Sequence, residues 1–284
     1  MAIIDGKSHA EDILGQLKFE IKNLAERNIK VSLAIVLVGD NPASTVYITN
    51  KISKAKELGI DAHLIKLPEK IEEEALIEKL EELNNNDDIN GIIVQLPLPK
   101  HINKHIVQSI ISPEKDVDGL NPINIGLLHS EADAGFIPCT PLGCLYLIKT
   151  CCDDLRGKNA VVIGRSDIVG KPMAALLLRE NCTVTICHSK TKNLLEITKN
   201  ADIVVAAMGR GHFLNKEYFK FDAIVIDVGI TRLASAELIG DVDFDNVKNH
   251  VGYITPVPGG VGPMTIAYLM VNTVMATRMT RDDK

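Results

Sequence analysis

The chain reads as an α/β protein of two domains, each built on a parallel sheet covered by helices. Three observations predict this. Short apolar runs alternate with longer stretches whose apolar residues recur at helical spacing, the pattern of strands joined by crossover helices. The alternation stops at residues 112–141, where Pro113, Pro122, Pro138 and Pro141 mix with Gly and Asp, and then resumes. At 284 residues the chain is long enough for two cores.

In the first domain, Ser8 with Glu11 three residues on has the form of a capping box, and Ile13, Leu14, Leu17, Ile21 and Leu24 make a helical stripe. Residues 31–38, Val31-Ser-Leu-Ala-Ile-Val-Leu-Val38, form an apolar run, as expected of a strand buried on both faces. Gly39 to Pro42 is turn chemistry, Ser44 is a candidate cap, and the helix that follows closes at Gly59. A strand at 60–67, a charged helix at 72–83 and a strand at 91–96 follow, the last stopped by Pro97 and Pro99. Residues 112–141 read as a long irregular crossing. Strands at 159–163, 183–187, 202–206 and 223–227 and a helix at 171–180 make the second domain. A Gly/Pro-rich loop then leads to a last helix from 265 to 278, expected to pack back onto the first domain. The boundaries are thus 1–138 with 265–284 for one domain and 139–264 for the other.

Composition narrows the function classes. The chain is 46% apolar and 24% charged with a net charge of −6, and it has no basic cluster, which argues against a nucleic-acid partner. No apolar run reaches the roughly 18–20 residues that span a bilayer. The N-terminal stretch has neither a secretory apolar core nor an Arg-rich presequence, so a cytoplasmic protein is expected. The six cysteines form no C-x-x-C pair, and the eight histidines have no zinc-site spacing, so no metal is expected.

Tyr47 and Lys51 lie four residues apart, on one face of the helix that follows the first apolar strand. Open α/β sheets bind small molecules at that end of their strands. A lysine beside an aromatic ring is a candidate acid/base, although a solvent-facing pair on an ordinary helix has the same spacing. Gln95 ends the strand before Leu96-Pro97, where an amide either satisfies loop backbone or faces a ligand. Asp118, before Gly119, is either a turn residue or a third polar group at the same mouth.

The second run of alternation opens with a strand, then Gly164-Arg165-Ser166-Asp167-Ile168-Val169-Gly170. A glycine turn between strand and helix aims backbone N–H groups at a phosphate, so this domain is expected to be a Rossmann-like nucleotide-binding unit. The spacing departs from G-x-G-x-x-G, because Ser166 replaces the second Gly and the last Gly comes one residue late. An NAD site carries an acid at the end of the next strand to hold the ribose. Here that end reads Cys187-His188-Ser189-Lys190, with no acid, and Arg165, Ser189 and Lys190 suit a 2′-phosphate. NADP is favoured over NAD. The stretch from Thr255 to Thr265 is rich in Gly and Pro, which permits close backbone approach to a ligand or makes only a rigid turn.

Together these stretches resemble the bifunctional methylenetetrahydrofolate dehydrogenase/methenyltetrahydrofolate cyclohydrolase family over nearly the whole chain. The markers are 40–44 with Tyr47 and Lys51, 95–99, 115–119, 138–141, 164–170 and 256–265. The visible variation, Leu120-Asn121, lies in the loop after Gly119. The formate-ligase domain that some relatives carry is not expected in 284 residues. The resemblance implies two α/β domains with a cleft between them, tetrahydrofolate derivatives as partners, NADP as cofactor and a homodimer. It implies oxidation of 5,10-methylenetetrahydrofolate followed by hydrolysis to 10-formyltetrahydrofolate. Lys51 would be the acid/base of the hydrolytic step and Gln95 its hydrogen-bond partner. Tyr47 would stack on the aminobenzoate ring and Asp118 would hold the pterin. Leu96, Pro97, Gly259, Gly260 and Pro263 would border the folate. Thr140, Gly164, Arg165, Ser166, Ile168, Val169, Gly170, His188, Ser189 and Ile230 would surround NADP. Two other classes stay open: a dehydrogenase of another small substrate, such as a shikimate-type enzyme, and a non-catalytic nucleotide sensor.

Overall fold

A computed structural model describes residues 2–130, 132 and 135–282. In chain order its elements begin with β1 (Ala2–Ile3), α1 (Gly6–Glu26), β2 (Ser32–Val38), α2 (Pro42–Leu58) and β3 (Asp61–Leu67). Then come α3 (Glu73–Asn84), β4 (Gly91–Val94), α4 (Lys104–Ile110), α5 (Pro122–Leu128) and α6 (Cys139–Cys151). The second half holds β5 (Asn159–Ile163), α7 (Gly170–Arg179), β6 (Thr183–Cys187), α8 (Leu194–Thr198), β7 (Ile203–Ala206) and β8 (Ile224–Asp227). It ends with β9 (Thr231–Arg232), β10 (Leu238–Ile239), α9 (Phe244–Val247), β11 (Tyr253–Ile254) and α10 (Val261–Asp282). Among the described residues, no helix is long and apolar enough to cross a membrane.

The chain divides into two compact units. One comprises residues 12–137 and 266–284 and carries a parallel sheet in the order β3-β2-β4. All seven residues of β2 are buried, which is why its sequence is apolar from Leu33 to Val38 after Ser32. Strand β3 lies at the edge, and its residues are exposed or half-buried. Leu76, Leu80 and Leu83 form the buried stripe of α3 and pack with Val36, Ile92 and Val107 in one core. Asn272 of α10 donates to the carbonyls of Val117 and Ile137, so the last helix is tied to this unit by a buried amide as well as by packing.

The other unit comprises residues 1–11 and 138–265. Its six-stranded sheet has the order β1-β11-β8-β7-β5-β6 with every pair parallel, and β9 and β10 form a separate antiparallel pair. Its core joins Val161, Val204, Val225 and Ile254 from the sheet with Leu214 and Val247.

Several local expectations are corrected. Residues 1–11 belong to the six-stranded unit, because Ala2 and Ile3 pair with Tyr253 and Ile254, a partnership no local pattern announces. Asp5, not Ser8, caps α1, accepting from the N–H groups of Lys7 and Ser8. Asn41 rather than Ser44 caps α2, its side chain accepting from the Ser44 N–H at 3.3 Å. The crossing at 112–141 is not irregular throughout. Asn121 accepts from the Ile123 N–H and starts α5, and α6 begins at Cys139. The last helix starts at Val261, four residues early, so Pro263 sits in its first turn, where a missing N–H costs nothing.

Candidate active site

In the three-stranded unit, β2 leads to β3 on one side while β4 returns on the other. The gap between the carboxyl ends of β2 and β4 is therefore a topological switch point, where open sheets bind ligands. Two expected residues meet there. Lys51 on α2 donates to Gln95 Oε1 at 3.1 Å, and Gln95 Nε2 donates to the Leu96 carbonyl at 2.7 Å. The Gln95 N–H bonds to Val36, which extends the ladder by one residue and fixes where the amide leaves the sheet. Both side chains are half-buried. The second hydrogen bond assigns the amide, since its NH2 is spent on the backbone and its oxygen is left for Lys51. Tyr47, one turn before Lys51, is 40% exposed.

The segment 115–119 shows why Asp118 is presented. Ile92 pairs with Asp116 in a single parallel bridge, continuing the sheet beyond β4. Lys115 is buried and donates to the carbonyls of Asn84 and Asn86 at 2.7 and 2.8 Å, closing the carboxyl end of α3. Burial lowers the pKa of its ammonium. Asp116 is 1% exposed, and its Oδ2 accepts from the Asn121 N–H at 2.7 Å and from Asn124 Nδ2 at 2.9 Å. Burial raises its carboxyl to about 7 against the pull of these donors. Lys115, Asp116 and Val117 are all buried, and half-buried Asp118 follows this anchored stretch. Sequence reasoning singled out Asp118 and passed over Lys115 and Asp116. The variable Asn121 is in fact a junction, bonded to Asp116 and capping α5.

In the six-stranded unit the switch point lies between β5 and β7. Gly164 follows β5 at φ +141°, and any Cβ there would run into the Ala207 carbonyl. A Cβ on Gly170 would collide with the Gly164 carbonyl, so both glycines let strand, turn and α7 close up. Ser166 accepts from the N–H groups of Val169 and Gly170 at 3.2 and 3.3 Å, which explains a serine in place of the second Gly. Ile163 and Cys187 are in register, and the Gly164 N–H bonds to the Cys187 carbonyl. Exposed Arg165 and Ser189 therefore leave neighbouring strand ends. His188 begins a turn closed by Thr191 Oγ1, 2.8 Å from its N–H. Ile168 and Ile230 are 40% and 45% exposed, and Thr140 Oγ1 lies 2.9 Å from Thr265 Oγ1. A glycine cradle with basic and hydroxyl groups at its rim, and no acid after β6, fits a phosphorylated dinucleotide. Gly259, at φ +105°, accepts from the Lys7 N–H, and Gly260 is packed so that a Cβ would strike Thr255 and Pro256.

Comparison with known proteins agrees with both halves. The model for the tetrahydrofolate dehydrogenase/cyclohydrolase catalytic domain matches residues 4–118, and that for the NAD(P)-binding domain matches 138–281. The chain belongs to the tetrahydrofolate dehydrogenase/cyclohydrolase family. Within it, the chain is 58% identical to the bifunctional protein FolD of Rickettsia bellii over 98% of each sequence. The crystal structure of bifunctional FolD methylenetetrahydrofolate dehydrogenase/cyclohydrolase from Campylobacter jejuni is 46% identical with a TM-score of 0.96, covering 98% of this chain and 99% of that one. The Trypanosoma brucei enzyme, solved with NADP cofactor and an inhibitor, is 38% identical with a TM-score of 0.95, covering 99% and 98%. For a tetrahydrofolate dehydrogenase/cyclohydrolase, the polar cluster beside β2 and β4 is in the matched catalytic domain and the Gly164 turn in the matched NAD(P)-binding domain.

Proposed function

We propose that Lys51, Gln95, Tyr47 and Asp118 form the folate site of this enzyme. The chain is a bifunctional methylenetetrahydrofolate dehydrogenase and methenyltetrahydrofolate cyclohydrolase. It oxidises 5,10-methylenetetrahydrofolate with NADP+ and hydrolyses the methenyl product to 10-formyltetrahydrofolate. The observation that carries the residue assignment is the Lys51–Gln95 hydrogen bond at the switch point of the three-stranded sheet. An amide oxygen orients one N–H of Lys51 without bringing a counter-charge to it.

NADP+, when bound, supplies the hydride acceptor of the first reaction. That step moves no proton, so the folate site contributes orientation: stacking by Tyr47 and hydrogen bonds from the pterin to Asp118. In the second reaction Lys51 takes the proton that water loses on adding to the methenyl carbon. The hydroxyl proton of the adduct must then reach N5 as the C–N5 bond breaks, and Lys51 is the group that relays it. The 2′-phosphate is held by Arg165 and Ser189, with Gly164, Ser166, Ile168, Val169, Gly170, His188, Thr140 and Ile230 as the remaining cofactor neighbours. Leu96 and Pro97 complete the folate surroundings within the three-stranded unit. A homodimer and a cytoplasmic location belong to the same proposal. The uncovered edge of β3 and six free cysteines support them.

A coupled assay tests the reading. Methylenetetrahydrofolate and NADP+ should yield NADPH with only transient methenyl absorbance. Methenyl product that accumulates to match NADPH would remove the cyclohydrolase assignment, and absence of NADPH would remove both.

A further inference from the structure

Two aspartates of the six-stranded unit lie outside every role assigned above. Asp227 is the last residue of β8 and Asp241 follows β10; they are 3% and 0% exposed. Each is wrapped by three backbone N–H groups. Asp241 Oδ2 accepts from Met208 at 2.7 Å and Gly209 at 3.1 Å, and its Oδ1 from Arg210 at 2.6 Å. Asp227 Oδ1 accepts from Gly229 and Asp241 at 3.0 Å, and its Oδ2 from Val242 at 2.8 Å. The backbone closes tightly on both: a Cβ on Gly229 would collide with the Asp241 carboxyl, and one on Gly240 with Asp227 Oδ2.

These six bonds tie down two loops. Residues 207–211 follow β7, and Ala207 is the residue whose carbonyl the Gly164 turn rests against. Residues 228–230 follow β8 and carry Ile230. Asp241 holds the first loop and shapes the bed of Gly229 in the second, while Asp227 joins the second to the segment 240–242. Both loops leave carboxyl ends of strands in the sheet whose switch point lies at β5 and β7.

We propose that Asp241, with Asp227, is a positioning residue for the dinucleotide: it fixes the loops after β7 and β8 against the Gly164 turn before NADP arrives. Preformed loops spare the ligand the entropy of ordering them. The proposal rests on NADP binding at the Gly164 turn.

The test is Asp241→Asn. The donors of Asp241 use both oxygens, so either orientation of the amide turns an NH2 group toward an N–H and leaves a buried donor unpaired. Equilibrium binding of NADPH, read by its fluorescence, should weaken by about tenfold or more. Hydrolysis of supplied methenyltetrahydrofolate, which needs no NADP, should stay within about twofold of wild type, since its acid/base Lys51 and the partner Gln95 lie in the other unit. Unchanged NADPH affinity overturns the proposal. So does a parallel loss of both properties, which would make Asp241 a folding residue only. Hydrogen exchange on the wild type covers a variant that does not fold. The amides of Met208, Gly209, Arg210 and Gly229 should be protected without NADPH; exchange at free-peptide rates until NADPH is added overturns the proposal. Wild-type protein that fails to bind NADPH would instead remove the assignment of the Gly164 turn, and protected loop amides would still stand.

Discussion

The two units solve one geometric problem in different materials. Each is a parallel sheet that reverses strand order at one point, and each has its proposed ligand groups after the carboxyl ends of its strands. The three-stranded unit presents side chains: an amine, an amide, a phenol and a carboxylate. The six-stranded unit presents backbone, with Gly164 and Gly170 keeping side chains away and Arg165 and Ser189 at the rim. The difference follows from the work. Proton transfer needs a titratable group held at a fixed point, whereas a dinucleotide is held by many weak contacts along its length. Buried aspartates differ in the same way. Asp116 Oδ2 takes the Asn121 N–H and the side-chain amide of Asn124, whereas Asp227 and Asp241 are each held on both oxygens by three backbone N–H groups.

The sharpest way to break this comparison is Lys51→Met. Loss of the acid/base should lower cyclohydrolase turnover by roughly 10²–10⁴-fold while NADPH binding stays as in wild type. Normal hydrolysis of methenyltetrahydrofolate by the variant would show that Lys51 is a surface residue of α2.

The next effect concerns pH. Burial holds Asp116 and Asp227 at about 7, against an ordinary 3.8. Between these values the folded state keeps protons that the unfolded state releases, so stability is greatest at the acidic end and falls as pH rises from 4 through 7. Each group contributes on the order of 2–4 kcal/mol across that window. Asp116→Asn mimics the protonated acid and keeps both Oδ2 contacts, so chemical denaturation at several pH values should show a flatter slope and a more stable protein at pH 8. An unchanged slope would mean that Asp116 stays ionised in the fold.

Asp118→Ala should weaken folate by on the order of 1.5–3 kcal/mol, the loss of a charged hydrogen-bond partner, and leave NADPH affinity alone. Titrating both ligands decides it; equal losses with a lower melting temperature would return Asp118 to the status of a turn residue.

The smallest effect is expected at Arg165, which is exposed. Arg165→Ala should raise the KM for NADP+ several-fold with kcat and the NAD+ reaction little changed, because a remote phosphate contact is mostly uniform binding. The preference for NADP+ should also shrink with added salt. Steady-state kinetics with both cofactors will show whether the two losses differ.

Most of the fold and part of the site were legible in local pattern. The buried run of β2, the stripe of α3 and the strand 159–163 follow from periodicity, because side-chain direction repeats every two residues in a strand and every 3.6 in a helix. The Tyr47/Lys51 spacing and the glycine turn at 164–170 were visible for the same reason, as both are local. What the sequence did not determine depends on partners far along the chain. Nothing near Ala2 announces that it pairs with Tyr253, 251 positions on. Asp116 and Asp118 look alike in sequence; only the converging donors Asn121 and Asn124 make the first a buried anchor, while the second stays half-buried. Asp227 and Asp241 carry no motif at all, because their partners are backbone N–H groups, which every residue but proline supplies. Local periodicity fixes which way a side chain points, but tertiary structure decides what waits there to meet it.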